Sequence, residues 1–159
     1  MKQKIEKTNA MRVLDGIKAE YEHFTYDNMT LSSDELAEKV GVDTDALYKT
    51  LVCVGKSGQN YVFMVPTKGE LDLKKAAVSV GEKSVSLLHV KDITKVTGYV
   101  RGGCTPIGMK KQFMTVVHNT AENMELFYIS GGKIGVQIRL SPAELVSAIR
   151  GKFEDIVLN

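Results

Sequence analysis

Tyr48-Lys49-Thr50-Leu51-Val52-Cys53-Val54, the link Gly55-Lys56-Ser57-Gly58-Gln59-Asn60 and the run Tyr61-Val62-Phe63-Met64-Val65 decide the architecture. β-branched and aromatic residues crowd both runs, and glycine, serine and asparagine fill the link, so the stretch reads as strand, turn, strand. A strand with one wet face alternates apolar and polar residues. Here Leu51 and Cys53 oppose Val52 and Val54, and Tyr61 and Phe63 oppose Val62 and Met64. Both faces of the hairpin must therefore be covered, by helices or by closure into a barrel.

Outward from the hairpin, helices and strands mix irregularly. Ala10, Val13, Leu14, Ile17 and Tyr21 recur at three and four and predict a helix over Asn9–Tyr21, capped by Thr8 or Asn9. Ser32 with Glu35 three residues later predicts a capping box, with Leu36, Ala37 and Val40 as core face and Gly41 as stop. Glu70 and Asp72, the apolar set Leu73, Ala76, Ala77 and Val80, and Gly81 predict a helix over Leu71–Val80. Val85–Val90, Phe113–Val117 and Leu126–Ile129 read as strands, and Val136-Gln137-Ile138-Arg139-Leu140 alternates as a half-exposed one. Ser141-Pro142-Ala143-Glu144 supplies an N-cap, a first-turn proline and a capping-box glutamate to a helix carrying Leu145, Val146 and Ile149, expected to close the fold. This order favours α+β with a mixed sheet over regular βαβ winding, in a single domain spanning 1–159.

The chain has 159 residues, 43% hydrophobic and 25% charged, with three prolines, which excludes disordered, collagenous and coiled-coil classes. Its longest apolar run, Tyr61–Val65, falls far short of the ~20 residues that cross a bilayer, so no membrane partner is expected. Positive charge at Met1–Lys7 is not followed by an apolar stretch, and a cytoplasmic protein is expected. Cys53 and Cys104 form no CxxC and have no histidine pair nearby, which removes the zinc-ribbon and thioredoxin readings. A net charge of +2 is too mild for a nucleic-acid surface covering the whole molecule. A polyanion site has to come from local clusters such as Lys74-Lys75, Lys110-Lys111 and Lys133.

Conventional catalytic constellations are missing. Gly55-Lys56-Ser57 resembles the end of a phosphate-binding loop, but Thr50 stands where that motif needs glycine. His23, His89 and His118 lack metal-ligand spacing, and no Ser-His-Asp order or nucleophile elbow occurs, so no metal and no cofactor are expected. Two features remain. Lys49 starts an otherwise apolar strand, where its ammonium is either a solvated strand-end charge or faces an anion. Thr97-Gly98-Tyr99-Val100-Arg101-Gly102-Gly103-Cys104-Thr105-Pro106-Ile107-Gly108 is glycine-rich between strand-like segments, and is either a plain loop or a main-chain cradle for a carbonyl oxygen or oxyanion.

Lys49-Thr50-Leu51-Val52, Leu71-Asp72-Leu73-Lys74-Lys75-Ala76-Ala77, the segment from Thr97-Gly98-Tyr99 through Gly102-Gly103-Cys104-Thr105-Pro106-Ile107-Gly108-Met109-Lys110-Lys111, and Ile129-Ser130-Gly131-Gly132-Lys133 together resemble the YbaK/EbsC family. These are free-standing relatives of the editing domain of bacterial prolyl-tRNA synthetases. The pieces occur in the family's order over most of the chain. Thr105 stands where serine is common, and Arg101 where an aliphatic or small residue is expected.

The resemblance implies a mixed, barrel-like β-sheet with peripheral helices, and a deacylase that removes cysteine from mischarged Cys-tRNA(Pro). Cysteine is no larger than proline, so a synthetase pocket cannot exclude it and a second sieve is needed. In the family the substrate's own thiol attacks the ester carbonyl, releasing a thiolactone and free tRNA without a protein nucleophile. On this reading Lys49 holds the phosphate or ester region of the terminal adenosine. Gly102 and Gly103 offer main-chain contacts to the aminoacyl group, and Tyr26, Thr50, Gly98 and Ser130 bind substrate. A side chain at Gly103 is then expected to cost activity more than stability. Lys74, Lys75, Lys110, Lys111 and Lys133 would meet the tRNA acceptor stem, DNA is not a partner, and a complex with prolyl-tRNA synthetase is the family expectation. Deacylation of another small amino acid such as alanine, or a non-catalytic tRNA-binding or synthetase-binding adaptor, are the alternatives.

Overall fold

A computed structural model describes residues 6–26 and 33–159. In chain order it runs α1 (Asn9–Gly16), β1 (Glu22–Thr25), α2 (Ser33–Val40), β2 (Tyr48–Gly55), β3 (Asn60–Pro66), α3 (Leu73–Val80), β4 (Val85–Leu87), α4 (Val90–Thr97), β5 (Thr115–His118), β6 (Phe127–Ser130), β7 (Val136–Leu140), α5 (Pro142–Ala148) and β8 (Gly151–Glu154). The hairpin forms with Tyr48 opposite Pro66 and Val54 opposite Asn60. It lies inside a mixed five-stranded sheet of order β4-β2-β3-β5-β8, in which β3 and β5, and β5 and β8, are parallel. A three-stranded antiparallel sheet, β1-β7-β6, completes the fold.

Both faces of the hairpin are covered, as its apolar pattern requires. On one face Cys53, Phe63 and Val65 pack with Ala76 and Ala77 of α3 and with Ile156. On the other, Tyr48 and Met64 join a core built from α1, α5 and the three-stranded sheet, while Val52 and Val62 pack under Tyr99, Cys104 and Met109. The cover is a sandwich. Among the described residues the sheets meet through a single parallel bridge, Leu47 to Tyr128, and no closed barrel forms.

Several boundaries differ from expectation. The first helix stops at Gly16 because Lys18 turns left-handed (φ 58°) and Ala19 N–H returns to the Leu14 carbonyl at 2.9 Å. Its buried face is Ala10, Met11 and Leu14, leaving Val13 and Ile17 exposed, and Thr8 rather than Asn9 caps it by accepting from Met11 N–H. The capping box at Ser32 lies outside the described residues. Leu71 is a buried bridge partner of Val157 rather than the first helical residue, and Asp72 caps α3 through the N–H groups of Lys74 and Lys75. The segment Val85–Val90 divides: β4 ends at Leu87 and a helix missed by periodicity, α4, begins at Val90. Gln137 of β7 is buried, not exposed, since the face it shares with its cross-strand partner Phe24 is packed by Leu47 and by Ala37 of α2. Ser141 does cap α5, but the Glu144 carboxylate accepts from Glu20 N–H, and β8, not the helix, comes last.

Beside β8 a buried histidine ties the C-terminal segment to the sheet. His118 Nδ1 accepts from Ile156 N–H at 3.2 Å, while Lys75 Nζ holds Asp155 at 3.0 Å and the Val157 carbonyl at 2.9 Å. Burial lowers the His118 pKa from 6.5, with Asp155 opposing and Lys75 assisting that shift. A histidine kept neutral in the fold but free to protonate when unfolded stabilises the protein fully above the ordinary imidazole pKa and less below it. The melting temperature is expected to be level above pH 6.5 and to fall below it, and His118→Asn should flatten that slope. Asp155, whose pKa is lowered from 3.8 chiefly by the Lys75 hydrogen bond, acts in a separate and more acidic window. Thermal melts between pH 5 and 8 check this, and an equal slope in the variant removes His118 as its source.

Candidate functional site

The site lies on an edge of β2 that neither sheet covers. β3 pairs with the whole of β2, but on the other edge β4 reaches only Cys53–Gly55, and the second sheet forms a backbone bridge only at Leu47. Between these contacts Tyr48–Val52 line a cavity of about 430 Å³. Leu87, Leu88, Val90 and Ile93 close one end, Ser130 and Gln137 the other, and Arg101, Gly102 and Cys104 form a further wall. Leu88 N–H bonds the Val52 carbonyl at 2.9 Å, so even-numbered residues of β2 turn their main-chain groups to this edge. The N–H and C=O of Thr50 therefore face the gap.

The glycine-rich segment owes its position to local capping. Thr97 Oγ1 donates to the Ile93 carbonyl at 2.8 Å and accepts from Tyr99 N–H at 3.0 Å, and Gly98 takes the left-handed C-cap of α4 (φ 88°). Tyr99 Oη donates to the Ile107 carbonyl at 2.5 Å, and Asn9 Nδ2 to the Gly108 carbonyl at 2.7 Å. The chain between these anchors is thereby folded over the Val52 face of the hairpin.

Of the sequence-derived residues, the cavity brings together Tyr26, Lys49, Thr50, Gly102 and Ser130. Lys49 is half-buried and makes no ion pair with a described residue. Ser130 Oγ accepts from Gly132 N–H at 3.3 Å. Gly98 and Gly103 are not in the wall. Gly103 N–H is spent on the Val100 carbonyl at 3.0 Å, and a Cβ on Gly103 would meet the Lys133–Ile134 main chain at 3.0–3.1 Å, so its part is to let two loops touch. The basic residues also separate. Lys75 is committed to Asp155 and Val157, while Lys74, Lys110, Lys111 and Lys133 are exposed. The Gly55–Gly58 turn carries no phosphate loop: Glu82 takes both the N–H and the hydroxyl of Ser57.

Arg101, noted in the sequence as a departure from the family pattern, is an exposed wall residue. Two polar lining residues escaped sequence reasoning: Gln137, which is buried, and Thr67, which lies one step beyond β3. The hairpin register contained the signal for Thr67. Its N–H bonds the Leu47 carbonyl at 2.8 Å, which continues the Lys49–Val65 pairing and places Thr67 on the same face as Lys49. The hydroxyls of Thr50 and Thr67 are both buried and without a hydrogen-bond partner, as is that of Thr105, which nothing in the structure explains.

Electrostatically the wall is one-sided. Among the described residues it carries the Lys49 and Arg101 cations and no aspartate, glutamate or histidine. Its one thiol, Cys104, is pushed up to about 11 by burial, so at neutral pH it is protonated and a weak nucleophile. Such a wall can hold an anion, orient a carbonyl and donate hydrogen bonds, but it offers no activated nucleophile.

Residues 28–148 match the family model of the aminoacyl-tRNA editing domain. EbsC of Enterococcus faecalis, assigned as a Cys-tRNA(Pro)/Cys-tRNA(Cys) deacylase, is 42% identical over 153 residues, covering 95% of this chain and 93% of the relative. A crystal structure assigned as a trans-editing enzyme for prolyl-tRNA synthetase superposes with a TM-score of 0.84 at 24% identity, covering 98% of this chain and all of that one. A hypothetical protein of known structure gives 0.86 at 22%, covering 94% and 99%. At such identities the structures establish the shared fold. The sequence match runs from before α2 through α5 and takes in every cavity-lining residue but Tyr26, so the chain belongs to the aminoacyl-tRNA editing domain family.

Proposed function

We propose that the protein deacylates Cys-tRNA(Pro) in trans, using the substrate's thiol as nucleophile. The observation that carries this reading is the wall itself: two cations and several hydrogen-bonding groups surround a space in which none of the described residues is an activated nucleophile. A substrate that brings its own nucleophile fits such a site. The cysteinyl sulfur loses its proton and bonds to the ester carbonyl carbon, the ester C–O bond breaks, and the tRNA hydroxyl leaves with a proton as the thiolactone departs. The protein's contribution is to fold the aminoacyl group so that sulfur meets carbon, and to donate to the developing oxyanion. Thr50 N–H, facing the cavity edge, and the main chain at Gly102 are the donors placed for this, with Lys49 on the phosphate or ester region. Tyr26 and Ser130 shape the aminoacyl pocket. Prolyl-tRNA synthetase, as a partner, would supply the choice of tRNA.

Incubating the protein with Cys-, Ala-, Ser- and Pro-tRNA(Pro) and following ester loss tests the proposal. Rapid loss of the cysteinyl ester alone is expected, whereas preferential loss of alanine refutes the thiol route. Cys104→Ser should cleave Cys-tRNA(Pro) at near wild-type rate while Ser-tRNA(Pro) persists, because a hydroxyl is the poorer nucleophile. A dead variant, or an acyl group trapped on Cys104 in the mass spectrum, would make this an ordinary covalent hydrolase. Exposed Lys74, Lys110, Lys111 and Lys133 would contact tRNA through phosphates, so affinity should fall steeply with added salt. Binding that ignores salt would place tRNA recognition elsewhere.

A further inference from the structure

We propose that the acceptor end of a tRNA reaches the cavity over the rim built by α4, the glycine-rich segment and the Lys133 turn, with Lys91 and Lys95 of α4 holding its phosphates. The inference rests on the reading of this cavity as an aminoacyl-tRNA site. It assigns a direction of approach, and two residues that no motif of the sequence marked.

Charge is shared unevenly between the two sides of the cavity. Residues 90–111 carry Lys91, Lys95, Arg101, Lys110 and Lys111 against Asp92 alone, a net +4 in a chain of net +2. Val90, Ile93, Arg101, Gly102 and Cys104 of this segment line the cavity. Opposite them the lining residues Leu36 and Leu47 belong to residues 33–47, where Asp34, Glu35, Glu38, Asp43 and Asp45 stand against Lys39 alone. Lys68 holds Asp34 at 2.7 Å and still leaves that side acidic.

The fold then gathers the cations. Lys91 and Lys95 are one turn apart on α4 and both exposed, a like-charged pair that costs the helix stability. Lys110 N–H bonds the Thr97 carbonyl at 3.0 Å and its ammonium donates to the Lys95 carbonyl at 3.4 Å, which brings Lys110 and Lys111 to the end of α4. Lys133 Cα lies 3.1 Å from where a Cβ on Gly103 would sit, so Lys133 adjoins the turn that follows Arg101. None of these six cations makes an ion pair with a described residue. A field of one sign along one side of a cleft draws a polyanion in from that side, and the acidic side repels it. Protein partners meet a surface with mixed charge and apolar anchors, whereas a nucleic-acid strand presents a negative charge at every nucleotide, so a row of unpaired cations fits RNA.

The double variant Lys91→Gln/Lys95→Gln tests the rim, with Lys39→Gln/Arg150→Gln as a control of equal charge change. The control residues lie on α2 and before β8, and all four side chains are exposed, so both variants should melt with the wild-type protein. The probe is unacylated tRNA(Pro), followed by fluorescence anisotropy at several salt concentrations. The α4 variant should weaken binding roughly tenfold at low salt and reduce the slope of log affinity against log salt by ~2, one for each lost phosphate contact, while the control stays within about twofold of wild type. Four results would each overturn the rim: unchanged affinity and slope in the α4 variant, an equal loss in the control, wild-type binding that ignores salt, or an α4 variant that keeps tRNA but loses prolyl-tRNA synthetase, which would make this face a protein interface. Deacylation by wild-type protein is scored separately. A protein that shows the expected tRNA binding yet cleaves no aminoacyl-tRNA refutes the proposed function and leaves the rim standing as an RNA-binding surface.

Discussion

Lys49→Ala is expected to lose between ten- and a hundredfold of the deacylation rate while melting with the wild-type protein. Lys49 is half-buried beside the cavity and makes no ion pair with a described residue, so its removal strands no buried carboxylate and leaves Leu51 and Val65 packed as before. What disappears is a charge-assisted contact to substrate, worth ~1.5–3 kcal/mol. At ~1.4 kcal/mol per decade of rate, that is the stated loss. Lys49→Arg should recover part of it, because the charge survives but the compact ammonium is replaced by a planar fork. Single-turnover cleavage of Cys-tRNA(Pro), paired with a thermal melt, decides the matter. Wild-type rates in a folded Lys49→Ala protein remove Lys49 from the reaction.

How legible this site was depends on what kind of signal each residue carries. The hairpin was readable because two-sided burial leaves a mark on every residue of both strands, and Lys49 stood out as the one cation in an apolar run. The capped helices α3 and α5 were readable because Asp72 and Ser141 use side chains whose chemistry is local. α4 was not, since Val90 continues the apolar run of β4 and the switch of period falls inside it. β1 was missed for a similar reason: Glu-His-Phe-Thr has no alternation, and this strand exists because β7 offers it a ladder. The cavity itself is a tertiary object. It arises where β4 stops short on β2 and the second sheet forms a backbone bridge only at Leu47, and neither length is written in the residues of β2. Thr67 and Gln137 line the cavity because of that gap, so composition could not set them apart from ordinary polar positions.

Gly103→Val is expected to lower the melting temperature and, with it, the activity, in contrast to its neighbour Gly102. The glycine-rich motif suggested that both residues offer main chain to the substrate, but they divide the work. Gly103 has the Lys133–Ile134 main chain at 3.0–3.1 Å from where its Cβ would sit, and a backbone cannot swing aside as a side-chain tip can. Overpacking of this kind costs roughly 1–3 kcal/mol. For a chain of this length each kcal/mol lowers the melting temperature by ~2–4 °C. Alanine at this position should give the lower end of that range and valine the upper. The loops part, and the wall formed by Gly102 and Cys104 shifts with them. At Gly102 a Cβ meets only the Ile134 side chain, at 3.5 and 3.8 Å, ordinary contacts, although its φ of +88° strains any side chain. Gly102 is also in the cavity wall, so Gly102→Ala should lose activity out of proportion to a modest loss of stability. Melts and single-turnover rates of the two alanine variants separate the roles. If Gly103→Ala melts with wild type and loses only activity, Gly103 belongs with the substrate after all, and the contact between the two loops is not what requires glycine there.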